Sequence, residues 1–205
     1  NYTPQEMATR NMYKNNPSEF LLWYFKRFIL LKNIKPNKTH YWLSNKCLIT
    51  QNIDGLDRKA GNKNYIGIHG NIDKLVVFDN QDTIQEPKNA NWDEIDREYL
   101  DNDLKLKKIL LEKFKIPIKN SEYTPEKGVS LKPLVLLFDE IYNENYRFNE
   151  ALTWMESCTK MIFMGTSFSV NITNIALEIA IEKNLPIEIV DPNPIEINYP
   201  NIVYH

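Results

Sequence analysis

The chain has 205 residues, 42% of them hydrophobic and 12% aromatic, with a formal net charge of -2. That apolar content supports one large domain, or a large one with a small insert, and excludes disorder. The balanced charge, with no block of five like charges, argues against nucleic acid as main partner; no apolar run is long enough to span a membrane; and two lone cysteines fit a reducing compartment, cytoplasmic or nuclear.

In chain order, hydrophobic periodicity predicts helices over 4–14, 18–31 and 37–45, then short buried strands over 47–50 and 65–68. In the second helix Phe20, Trp23, Tyr24 and Phe28 make a core face or the wall of a lid. A charged stretch follows from 92 to 115, in which Leu106, Ile109, Leu110 and Phe114 fall near one helical face. Residues 117–133 read as a loop-rich linker. Beyond it come a strand over 134–138, a helix over 143–156, a strand over 160–164, an amphipathic helix over 172–183, and strands over 187–190 and 202–204. Alternating strands and helices give an α/β class, and continuous apolar strands suit a parallel sheet covered on both faces.

The run Cys47-Leu-Ile-Thr-Gln-Asn-Ile-Asp-Gly-Leu-Asp-Arg-Lys-Ala-Gly61, with His69-Gly70 eight residues later, concentrates Gln51, Asn52, Asp54 and His69 after a buried strand. Open α/β sheets place ligands at such carboxyl ends. A lone histidine after a strand is ordinarily structural, but the preceding Gln-Asn-Ile-Asp run favours catalysis here. The motif resembles the catalytic signature of the sirtuins, the NAD-dependent protein deacylases. Pro36-Asn-Lys-Thr-His40 resembles the start of the helix before that family's catalytic strand, and Gly165-Thr166-Ser167 resembles its Gly-Thr-Ser loop. Lys132-Pro133 with Phe138-Asp139-Glu140 is similar to its Arg-Pro…Phe-Gly-Glu substrate segment. The likeness covers roughly residues 2–75 and 131–205.

The resemblance implies a Rossmann-like NAD-binding domain formed by 1–75 and 131–205, with 76–130 as a small helical insert where the family carries a zinc module. The expected metal content is none, since neither Cys47 nor Cys158 lies between His69 and Lys132. It implies that His69 is general base on a ribose hydroxyl and that Asn52 orients the ribose hydroxyls and a water. Gln51 would bind the nicotinamide ribose and Asp54 the carboxamide. Gly165, Thr166, Ser167 and Asp191 would meet phosphate and adenosine ribose, and Val135, Phe138 and Asp139 would line the peptide site. By themselves, Gly-Thr-Ser is a turn with a helix cap, Asp191-Pro-Asn-Pro a loop opening, and His40 a capping residue.

The family's Gly-Ala-Gly phosphate loop does not precede the first helix, so the expectation is that it lies upstream of Asn1. Asp139 stands where the family has Gly, which is expected to obstruct a peptide or repel an acidic one. The implied activity is NAD-dependent protein-lysine deacylation, with acyl-lysine protein or peptide as partner. The alternatives are an NAD hydrolase or ADP-ribosyltransferase, and a catalytically silent module that binds NAD or ADP-ribose.

Overall fold

Thr9 divides the first expected helix into two. Its hydroxyl accepts from the Met12 N–H at 3.0 Å, so α1 (Pro4–Met7) ends and α2 (Arg10–Asn15) begins with its own cap. α3 (Pro17–Phe28) follows. The computed structural model describes residues 3–28, 33–95 and 99–205; the tail of the helix expected over 18–31 and residues 96–98 of the charged stretch lie outside them. The chain forms two compact units, 1–147 and 148–205.

In the first unit, α4 (Lys38–Leu43) starts with a reciprocal cap in which Asn37 accepts from the His40 N–H and the His40 ring accepts from the Asn37 N–H. Then come β1 (Leu48–Thr50), α5 (Leu56–Lys59), β2 (Tyr65–Gly67), β3 (Gly70–Val77) and β4 (Lys88–Asn89). α6 (Asp103–Lys113), the hairpin of β5 (Ile118–Lys119) and β6 (Glu122–Tyr123), and β7 (Leu131–Val135) complete the regular elements before a 3-10 turn at Glu144–Tyr146.

β1 and β2 pair in parallel, whereas β3 lies antiparallel between β4 and β7. Two sequence expectations are corrected here. The strand expected over 134–138 forms three residues earlier, and its partner β3 was not anticipated, because Asp73 and Lys74 interrupt its apolar alternation. The segment expected as linker carries the hairpin, turned by Asn120 and Ser121 at positive φ of 50° and 68°.

The core of this unit gathers Tyr13, Phe20, Leu21, Tyr24 and Phe25 from α2 and α3 against Ile72, Leu75 and Phe78 of β3 and its end, and against Leu106, Leu110 and Leu111 of α6 with Phe114. The charged stretch therefore contributes a helix that buries its stripe on α3, with Lys26–Asp103 and Lys107–Glu19 ion pairs along the seam. Tyr13 packs edge-on to Phe20 at 5.3 Å and donates its hydroxyl to the Leu131 carbonyl at 2.6 Å, which ties α2 to β7.

A network of amides holds the 79–85 loop. The Gln85 side chain accepts from the Val77 N–H at 2.6 Å and donates to the Val77 carbonyl at 2.8 Å. Asn145 accepts from the Gln85 N–H at 2.7 Å and donates to the Thr83 carbonyl at 2.9 Å, while Asn143 donates to the Gln81 carbonyl at 3.0 Å.

The second unit contains α7 (Phe148–Ser157), β8 (Met161–Met164), α8 (Asn171–Glu182), β9 (Ile187–Val190) and β10 (Ile202–Tyr204). Its three strands are parallel in the order β10-β9-β8. The helix expected over 143–156 is interrupted at Arg147, whose φ of +57° ends the 3-10 turn before α7 starts. Among the described residues no helix is long and apolar enough to cross a membrane, and no cluster of His, Cys, Asp and Glu is placed to hold a metal ion.

Candidate active site

Parallel pairing of β1 with β2 puts Thr50 opposite Gly67 and brings the chain after each strand to the same end of the sheet. The Ile68 N–H donates to the Thr50 carbonyl at 3.0 Å, so residues 51–54 and His69 leave from neighbouring strand ends. The 51–55 loop is fixed at three points. The Asn52 N–H reaches the Thr50 hydroxyl at 3.2 Å, the Ile53 carbonyl accepts from the Ile72 N–H at 2.9 Å, and the Asp54 carboxylate accepts from the Leu56 N–H at 2.9 Å, opening α5. Asn52 is exposed, while Gln51, Asp54 and His69 are half-buried.

His69 is held from both sides. Its own carbonyl accepts from the Leu136 N–H at 2.9 Å, and its neighbour Gly70, at φ +93°, lies so close to β7 that an added Cβ would sit 2.0 Å from the Leu134 carbonyl oxygen. Its ring lies near the Gln51 backbone, and Nε2 lies 2.8 Å from the Tyr142 hydroxyl, the two rings stacked at 5.8 Å. Burial pushes the imidazole pKa below its usual value, and the Gln51 backbone contact partly restores it. The result is a neutral imidazole at neutral pH beside the polar loop, which suits a proton acceptor.

Asn62 supports this arrangement from below: its buried amide donates to the carbonyls of Leu43 and Lys46 at 2.8 and 3.2 Å and accepts from the Asn64 N–H at 2.8 Å, fastening the end of α4 to the approach of β2. Neither Asn62 nor Tyr142 stood out in the sequence. The short Asn62–Asn64 spacing was a readable turn signal, but Tyr142 reaches His69 only through folding.

The substrate segment divides by environment. Val135 is buried and pairs with Gly70, whereas Phe138 is exposed, with its N–H on the Ala8 carbonyl at 3.0 Å. Asp139 faces the start of α2, accepting from the N–H groups of Arg10 and Asn11 at 2.5 and 2.9 Å, where a carboxylate is favoured by the helix dipole. Beneath it, Glu140 is clasped by Lys132 and Arg10, each at 2.9 Å, with the Lys132 and Glu140 side chains both buried. Burial pulls the Lys132 amine below its usual pKa and the Glu140 charge counters that pull.

In the second unit, β8 and β9 bring Gly165 and Asp191 to adjacent strand ends, and the Gly165 N–H donates to the Val190 carbonyl at 3.0 Å. Asp191 accepts from the Asn193 N–H at 2.8 Å, the hydroxyls of Ser167 and Ser169 lie 2.7 Å apart, and Thr166 is half-buried. Two observations fit a phosphate- or ribose-bearing cofactor here. A Cβ on Gly165 would meet nothing within 4 Å, and α8 starts at Val170 without a side-chain cap, its first-turn Thr173 N–H donating to the Val170 carbonyl at 3.1 Å, at a helix end that favours an anion.

The Sir2 family sequence model matches residues 1–172. An NAD-dependent protein deacetylase of Clostridium tetani is 28% identical over 179 residues, covering 82% of this chain and 60% of that protein. NAD-dependent protein deacylase 1 of Caldanaerobacter subterraneus subsp. tengcongensis is 40% identical over 81 residues, 36% of this chain and 34% of that one. The matched region thus spans between a third and three fifths of these relatives' length. Among solved structures, a Sir2 homolog–NAD complex superposes with a TM-score of 0.69 at 23% identity, covering 94% of this chain and 67% of the other, which establishes a Rossmann-like α/β fold.

Proposed function

The chain belongs to the Sir2 family, and on that premise we propose that the protein it represents is an NAD-dependent protein-lysine deacylase that transfers an acyl group from a lysine side chain to ADP-ribose and releases nicotinamide. The observation that carries this reading is that residues 51–54 and His69 leave from neighbouring parallel strand ends, with a half-buried imidazole whose pKa burial lowers. The activities named for the relatives, deacetylase and deacylase on proteins with NAD, support it.

In this reading His69 accepts the proton of a sugar hydroxyl, while Asn52 orients the sugar hydroxyls and a water. Gln51 hydrogen-bonds the near ribose and Asp54 the carboxamide. Gly165, Thr166, Ser167 and the α8 N-terminus meet phosphate and ribose oxygens, with Asp191 accepting from the adenosine ribose. When bound, NAD supplies a sugar carbon made electrophilic by a departing nicotinamide. Phe138 offers the exposed apolar contact for an acyl-lysine peptide, whereas Val135 and Asp139 shape the backbone that presents it. Because its carboxylate is engaged at α2, Asp139 repels an acidic peptide less than its position in the sequence suggests.

The test is incubation of the full-length protein with NAD, with and without an acetyl-lysine peptide. Peptide-dependent nicotinamide release with O-acetyl-ADP-ribose, lost in His69→Ala, is expected. ADP-ribose formed without peptide would replace this reading with NAD hydrolysis.

A further inference from the structure

One ring nitrogen of His69 is already engaged by the protein itself. A neutral imidazole carries one N–H and one lone pair, and the nitrogen with the lone pair is the proton acceptor. Nε2 lies 2.8 Å from the Tyr142 hydroxyl, and a phenol O–H donates to a ring nitrogen that carries its lone pair. In the tautomer protonated at Nδ1, Nε2 is the proton-accepting nitrogen, and it already has a hydroxyl on it.

That hydroxyl is firmly placed. Tyr142 lies in the stretch between β7 and the 3-10 turn, and the next residue, Asn143, donates to the Gln81 carbonyl at 3.0 Å and accepts from the Asn145 N–H at 3.0 Å. Asn145 is bonded in turn to Thr83 and Gln85, so two amides lock the segment against the 79–85 loop. The two ring planes lie 29° from parallel with centroids 5.8 Å apart.

We propose that Tyr142 is a positioning residue whose hydroxyl stands in for a sugar hydroxyl at His69 Nε2, so that the ligand-free site rests with its base capped from within and ligand entry requires the phenol to withdraw. The inference rests on the deacylase reading for the nature of the ligand, but the capped nitrogen does not depend on it. Displacing one neutral hydrogen bond sets a penalty of roughly 2- to 10-fold in affinity.

The decisive variant is Tyr142→Phe in the full-length protein, which keeps the ring and removes the O–H. NMR titration of the His69 ring in ligand-free protein is expected to show its pKa rising, because the neutral imidazole loses a donor, while ADP-ribose binding by calorimetry tightens roughly 2- to 10-fold. Asn143→Ala, which loosens the segment and leaves the phenol intact, is expected to shift both readouts the same way. A His69 pKa that falls or stays constant in Tyr142→Phe, or ADP-ribose affinity that is unchanged or weaker, overturns the proposal. Wild-type protein that fails to bind ADP-ribose would instead remove the functional reading, and the titration would still decide whether Tyr142 caps the nitrogen.

Discussion

Gly70→Ala is the sharpest test of how the site is built. The new methyl would lie 2.0 Å from the Leu134 carbonyl oxygen, 2.8 Å from its carbon and 3.1 Å from the Val135 Cα, all backbone atoms that cannot rotate aside. The β3–β7 ladder must open at the Gly70–Val135 pair, and the Leu136 N–H bond to the His69 carbonyl opens with it. Strain at φ +93° contributes about 1–2 kcal/mol, the clash about 1–3, and one lost hydrogen bond about 1, for a total near 3–6 kcal/mol. Gly61→Ala is the control, since Gly61 has φ +91° but nothing within 4 Å of a built Cβ, so it isolates the strain. Urea unfolding of the two variants, followed by tryptophan fluorescence, measures the difference. If Gly70→Ala unfolds within about 0.5 kcal/mol of Gly61→Ala, the close approach that fixes His69 is refuted.

Three further outcomes are expected. Lys132→Ala leaves the Glu140 carboxylate buried with Arg10 as its remaining cation and should destabilise by about 3–5 kcal/mol, while a Lys132→Ala/Glu140→Ala double variant should lose much less than the sum in denaturant melts. Leu110→Ala should cost about 2–5 kcal/mol in the same assay, because α6 is part of the core; a change below about 0.5 would make it a surface helix. His69 has a folded pKa below its unfolded value, so the unfolded chain binds the extra proton first, and stability should drop as pH falls below the ordinary histidine value of 6.5. His69→Gln should flatten that acid limb in melts between neutral and acid pH.

The site was legible where chemistry and spacing coincide. Gln51, Asn52 and Asp54 follow an apolar strand within a few residues, and His69 follows the next one, so parallel pairing of two short strands was enough to unite them. Tyr142 was hidden because 73 positions separate it from His69, and only the amide locks at Asn143 and Asn145 deliver it. β3 escaped because side chains of both charges sit within an eight-residue strand whose burial follows no clean alternation. The buried Lys132–Glu140 pair escaped for the opposite reason, since charged residues are presumed to face water until a partner is found. Thr9, by contrast, was a readable helix break, as a capping residue inside an otherwise continuous pattern.

Gln85 has one more consequence, for the outer border of the β3 sheet. β4 covers that border at Lys74 and Leu75, and two residues further along the carboxamide of Gln85 takes both the donor and the acceptor of Val77, as another strand would. A stranger chain arriving at this edge finds its docking register already filled by a side chain, so the molecule guards itself against strand addition and the aggregation that follows from it.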